Sequence, residues 1–140
     1  MRPTIDEQLH ALRRILSDVI APEVVAKYPS DILQGVIANL GDLEANWSRW
    51  VRYLAWDNEQ LARLLGEAQP KVSATLSERI GEALVTIPDD PYDYGAMCTR
   101  NEALRAAVAL VIRDARTDTS LADDAQHIHR HLDEGIRRRL

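Results

Sequence analysis

Only one cysteine, Cys98, stands in the 140 residues. No internal disulfide can form, which fits a reducing compartment. No run approaches the 18 or so uncharged apolar residues that a membrane-spanning helix needs. The opening MRPTIDEQLH carries charge where a signal peptide has its apolar stretch. The expectation is a soluble, cytoplasmic protein. An excess of positive charge is missing as well: 17 Lys+Arg against 22 Asp+Glu leave a net charge of −5. A global attraction for nucleic acid or anionic membrane is therefore not expected, and only the short Arg137–Arg139 run is basic. There is no period-two alternation and no Asn-Gly or Asp-Gly hairpin signal, so no strand is expected. Repeats at a solenoid period are absent. So are a Walker loop, GxGxxG, a nucleophile elbow, HExxH and a CxxC pair, which counts against the familiar enzyme classes.

What is present is helical periodicity, and the size and composition suit one globular domain over residues 1–140. The chain centres on residues 30–58. Ile32, Leu33, Val36, Ile37, Leu40, Leu43, Trp47, Val51 and Leu54 recur there at steps of three and four. This predicts the longest and best-buried helix, N-capped by Ser30 after Pro29. It carries all three tryptophans, Trp47, Trp50 and Trp56. It ends, kinks or runs on near Asp57; Asp57-Asn58-Glu59-Gln60 suits a cap for a helix over 59–68.

The remaining elements follow in order. Thr4-Ile5-Asp6-Glu7 has the capping-box pattern for a first helix with the seam Ile5, Leu9, Leu12, Leu16, Val19 and Ile20. Pro70 marks a boundary. A helix is expected over about 71–86, with stripe Val72, Leu76, Ile80 and Leu84. Residues 87–98 contain two prolines, a glycine, three aspartates and two tyrosines, and predict a long irregular segment, either a lid or a loop pinned by its tyrosine rings. Thr99-Arg100-Asn101-Glu102 reads as a second capping box before an alanine-rich helix to about Arg116. Ser120 or Thr119 would cap the last helix, which ends in Arg137–Arg139 at the negative end of its dipole. The fold class is all-α: an antiparallel helical bundle of four main helices plus one or two short ones.

Three groups of residues are candidate sites. Glu44 falls within the apolar stripe of the central helix, and a carboxylate there needs a partner or a proton. Asn58, Asn101 and Arg105 occupy inward or near-inward positions and would line a polar ligand cavity with it; a plain structural ion pair is the competing reading. Arg49, Arg52, Tyr53 and Trp56 combine arginine with aromatics, a composition enriched at interfaces, unless another helix of the same chain covers them. His127 and His131 stand one helical turn apart, a spacing that can hold a divalent metal; solvated flank histidines are the plainer reading. The His127-x-x-x-His131 pair resembles the last-helix pair of DinB/YfiT-type bundle metalloproteins. That resemblance implies a further histidine from a central helix, and residues 30–58 contain none.

A second resemblance rests on Arg2-Pro3-Thr4-x-x-Glu7-x-Leu9, Val36-Ile37-Ala38-Asn39-Leu40 and Asn101-Glu102-x-Leu104-Arg105. These pieces look like those of a group of small bacterial all-helical proteins of unassigned function. Members are often encoded beside kinases of the aminoglycoside-phosphotransferase type and acyl-CoA dehydrogenases. The resemblance implies an accessory role near such enzymes and no catalytic residue. The expected function is a non-catalytic interaction protein without cofactor, homodimeric or the partner of a kinase-like enzyme. A metal- or small-molecule-binding bundle is the alternative.

Overall fold

The computed structural model describes residues 3–139. Five α-helices carry the fold, and no strand occurs among the described residues. They are α1 (Ile5–Arg14), α2 (Lys27–Ala68), α3 (Ala74–Val85), α4 (Tyr94–Asp114) and α5 (Ala122–Arg139). A π-helical turn, Ile15–Ile20, prolongs α1, and short 3-10 turns precede α2, α3 and α5. The contacts of the chain divide it into two compact units, Met1–Ser48 and Arg49–Leu140. Helix α2 contributes its residues up to Ser48 to the first and the rest to the second.

The first unit pairs α1 with the early part of α2. Thr4 caps α1 as its sequence predicts: its hydroxyl accepts from the Glu7 amide while the Glu7 carboxylate accepts from the Thr4 amide. The two helices run antiparallel, with Asp6 opposite Trp47 and Arg13 opposite Glu44. None of the described residues of this unit is buried.

The second unit is a helical bundle built on the remainder of α2 with α3, α4 and α5. Its core joins Leu61, Leu64, Leu65 and Ala68 of α2 to Leu76, Ile80 and Ala83 of α3, Leu104, Ala107, Val108 and Val111 of α4, and Ile128 of α5. Helix α5 lies antiparallel to α2: Lys71 meets Asp124, Asp57 meets His131, and Arg49 reaches the Arg138 carbonyl. Arg100 of α4 donates to the Leu84 and Thr86 carbonyls at the end of α3. It thereby satisfies acceptors that a helix C-terminus leaves open.

Several boundaries differ from the sequence expectation, each for a local reason. Helix α2 begins at Lys27, before Ser30, and takes Pro29 into its first turn, where a missing N–H costs nothing. It runs on without a break through Asp57. It is the longest helix but not uniformly the best buried: its buried residues are Asp57, Asn58, Leu61, Leu64, Leu65 and Ala68, all late in the helix. Ser73 caps α3, so that helix starts at Ala74 rather than Lys71. Asp93 caps α4 through the Ala96 amide, so α4 begins at Tyr94 and the expected box at Thr99 lies inside the helix. The Thr99 hydroxyl instead donates back to the Gly95 carbonyl. Asp118, not Ser120 or Thr119, caps the turn before α5. The irregular segment is consequently shorter than expected, and Tyr92 is 90% exposed. What holds this loop is the Asp90 carboxylate accepting from the Tyr92 amide, not a buried Tyr92 ring.

Gly135 is the one glycine whose missing side chain matters to this packing. A Cβ there would meet the Tyr53 hydroxyl oxygen at 2.8 Å. The Tyr53 ring cannot yield freely, because Arg105 donates to its hydroxyl and the Arg139 guanidinium stacks on its face at 4.5 Å. Gly135→Ala is therefore expected to destabilise the protein by about 1–3 kcal/mol despite its gain in helix propensity, read as a lower urea midpoint at unchanged slope.

Candidate functional site

Asp57 is the centre of the candidate site. It sits on the core-facing side of α2, one turn before Leu61, and is 1% exposed. A carboxylate so buried has to be compensated, and three neighbours do this. His131 of α5 donates from Nε2 to Oδ1 at 2.8 Å. Arg105 of α4 donates from Nη2 to Oδ2 at 2.6 Å, and Asn101 from Nδ2 to the same oxygen at 2.7 Å. Burial pushes the Asp57 carboxyl upward, but the hydrogen bonds from Asn101, His131 and Arg105 outweigh it and hold the group below its ordinary value near 3.8.

A second layer fixes these partners. The Asn101 amide also donates to Asn58 Oδ1, and its own oxygen accepts from Arg105 Nε. Asn58 Nδ2 donates to the Met97 carbonyl at 3.0 Å. Arg105 Nη2 reaches the Tyr53 hydroxyl at 3.3 Å. Among the described residues no buried side-chain nitrogen or oxygen is left without a partner. Such a closed polar network orders the side chains of three helices against one another.

The arrangement has a chemical consequence at His131. An ionised carboxylate only accepts, so the His131 nitrogen facing Asp57 carries the proton. The other nitrogen, Nδ1, is left for a further partner. The imidazole is further fixed by Trp56, whose ring centroid lies 4.6 Å away, and the Arg138 guanidinium covers the Trp56 ring at 4.2 Å. This is an oriented imidazole, but among the described residues no serine, threonine or cysteine side chain is hydrogen-bonded to it. His131 and Trp56 line an open cleft of about 530 Å³ between α2 and α5, together with Arg63, Glu67, His127, Arg130, Glu134 and Arg138.

The residues singled out from sequence fall into three places. Asn58, Asn101 and Arg105 do come together, but around Asp57 and in a filled interior. Glu44 is not with them. It is half-buried in the first unit, where Arg13 Nε donates to it at 2.7 Å and His10 Nδ1 lies 3.0 Å away. The Arg13 hydrogen bond, then that from His10, lowers its carboxyl below the ordinary value. Glu44 is thus in a structural ion pair, the competing reading of that residue. Tyr53 and Trp56 are half-buried under Arg139 and Arg138 of α5, while Arg49 and Arg52 stay exposed. His127 is exposed, but His131 is buried, so the two do not form a matched pair of solvated flank histidines. With Nε2 turned onto Asp57, only Nδ1 of His131 remains for any ligand. No group of three or more His, Cys, Asp and Glu among the described residues is placed to hold a metal ion.

In the sequence Asp57 marks only a helix boundary, because Asp-Asn in isolation is a capping signal. The signal that marks it is its register: Asp57 lies four, seven and eight residues before Leu61, Leu64 and Leu65, on the face that carries the leucines. Among the described residues, no helix is long and apolar enough to cross a membrane. The chain matches no family model, no curated protein and no solved structure.

Proposed function

We propose that this protein is a self-associating interaction protein, a homodimer that buries the helical hairpin of its first unit against the same hairpin of a second copy. The supporting observation is the absence of any buried residue among those described in that unit. Ile5, Leu12, Ile15, Val19 and Ile20 on the first arm, with Ile32 and Val36 on the second, each expose between 41% and 59% of their surface. An apolar face of this size on a two-helix hairpin has no core of its own, and such patches mark association sites. The seven side chains leave roughly 600 Å² of aliphatic surface per copy, about 1,200 Å² for a pair, at the lower edge of a standard interface. Two hairpins closing face to face give a four-helix bundle, a closed two-fold solution in which one patch serves both copies.

Arg49 and Arg52, exposed on the second unit, remain the surface offered to another protein, a kinase-like enzyme in the reading that the sequence resemblance supports. The test is Leu12→Glu combined with Ile32→Glu. Two charges on this apolar face are expected to weaken dimerisation about hundredfold or more. Light scattering after size exclusion would show the wild type at twice the chain mass and the variant at the chain mass, with helical content retained. A variant that stays dimeric would remove the hairpin from the interface.

A further inference from the structure

We propose that the cleft between α2 and α5 is a binding site for a small hydroxylated anion, one carrying a phosphate or carboxylate group. This does not depend on how copies of the chain associate, since every lining residue belongs to the second unit.

The cleft's volume of about 530 Å³ lies within the range of small-ligand sites. Its lining is mostly polar and, unlike the chain as a whole, leans cationic: Arg63, Arg130 and Arg138 against Glu67 and Glu134. Two of these arginines are held in place. Arg63 donates to both Gln60 and Glu67, and Arg138 donates twice to Glu134 while stacked on Trp56. Stacking uses the face of a guanidinium and leaves in-plane donors for hydrogen bonding. Arg130 differs. It has no ion-pair or hydrogen-bond partner among the described residues and lines the same cleft as His127, three residues before it on α5. A free guanidinium lining one cleft with positioned ones is suited to capture a phosphate or carboxylate through charge-assisted bonds.

The hydroxyl requirement comes from His131. Nε2 is taken up by Asp57, so Nδ1 is the ring nitrogen left to meet a ligand. That nitrogen makes no hydrogen bond to a described residue, and it is not sealed from solvent. A ligand hydroxyl suits that nitrogen because it can either donate to it or accept from it. The two glutamates argue against a long polyanion such as nucleic acid, because each adds negative charge to the cleft wall.

The experiment titrates the untagged full-length protein with inorganic phosphate, with malonate and with glycerol 3-phosphate by isothermal calorimetry. Arg130→Ala removes an exposed side chain that supports nothing in the fold; Arg113→Ala, also exposed and outside the cleft, is the control. Saturable binding that falls at least tenfold in Arg130→Ala and is retained in Arg113→Ala supports the site. Phosphate or malonate, whichever binds, then identifies the anionic group. Tighter binding of glycerol 3-phosphate than of inorganic phosphate, with the His131 ring resonances shifting on its addition, supports the role of Nδ1. No saturable binding of any of the three, or equal loss in both variants, overturns the proposal.

Discussion

Replacing Asp57 with alanine is expected to cost about 3–5 kcal/mol, a large part of the stability of a domain this size. The substitution deletes the common acceptor of His131, Arg105 and Asn101. Arg105 would be left with its charge half-buried and its nearest acceptors neutral: the Asn101 amide oxygen and the Tyr53 hydroxyl. Most of the loss comes from that uncompensated guanidinium, not from the bonds themselves. Asp57→Asn keeps the shape and one acceptor and should cost less. Urea denaturation monitored by circular dichroism measures both. The same network sets the acid limit of stability. The folded-state pKa of Asp57 is depressed, so its contribution is fully present above the ordinary carboxylate range. It is lost as pH falls through the folded value, that is, below about pH 4. The wild type should therefore lose stability steeply there, and Asp57→Ala should show a shallower acid dependence.

Leu61→Ala is expected to have the next largest effect, about 2–5 kcal/mol. Leu61 is fully buried and belongs to the cluster in which α2 meets α3, α4 and α5. Four helices converge on that cluster, so no single one can move in to fill the space left by the lost methyl groups. A fall in the urea midpoint at unchanged slope would show this as a pure loss of packing. A loss below about 1 kcal/mol would mean that the core around α2 collapses easily, and the bundle would be looser than its burial indicates.

Most of the helical content was legible from periodicity. The stripe of α3, the small residues of α4 and the Thr4 capping box each appear where local pattern places them, because the physics of those features lies within a few residues. The candidate site was half legible. Asn58, Asn101 and Arg105 were found from their inward register. The group they surround was not, since Asp57 is partnered by residues 44 and 74 positions away in sequence. Without those partners an Asp-Asn pair carries only its local preference for a cap. The same local preference produced the false start at Thr99: Thr-x-x-Glu is a valid box, but Asp93 begins the helix earlier and Thr99 falls inside it. Gly135 carries no sequence signal at all, because its need arises only from the Tyr53 hydroxyl on another helix.

The apolar seam of α1 shows the opposite error. Its periodicity predicts one buried stripe, yet Ile5, Leu12, Ile15 and Val19 are all exposed in the single chain. Periodicity reports that a face seeks burial, not which chain provides it. That gap is what a second copy would fill. Sedimentation equilibrium of the untagged protein over about a hundredfold range of concentration tests this most directly. A homodimer through the hairpin gives a mass that rises from one chain to two and stops there, and Leu12→Glu with Ile32→Glu abolishes the rise. A single-chain mass at every concentration would contradict it, and the exposed seam of the first unit would then need another partner.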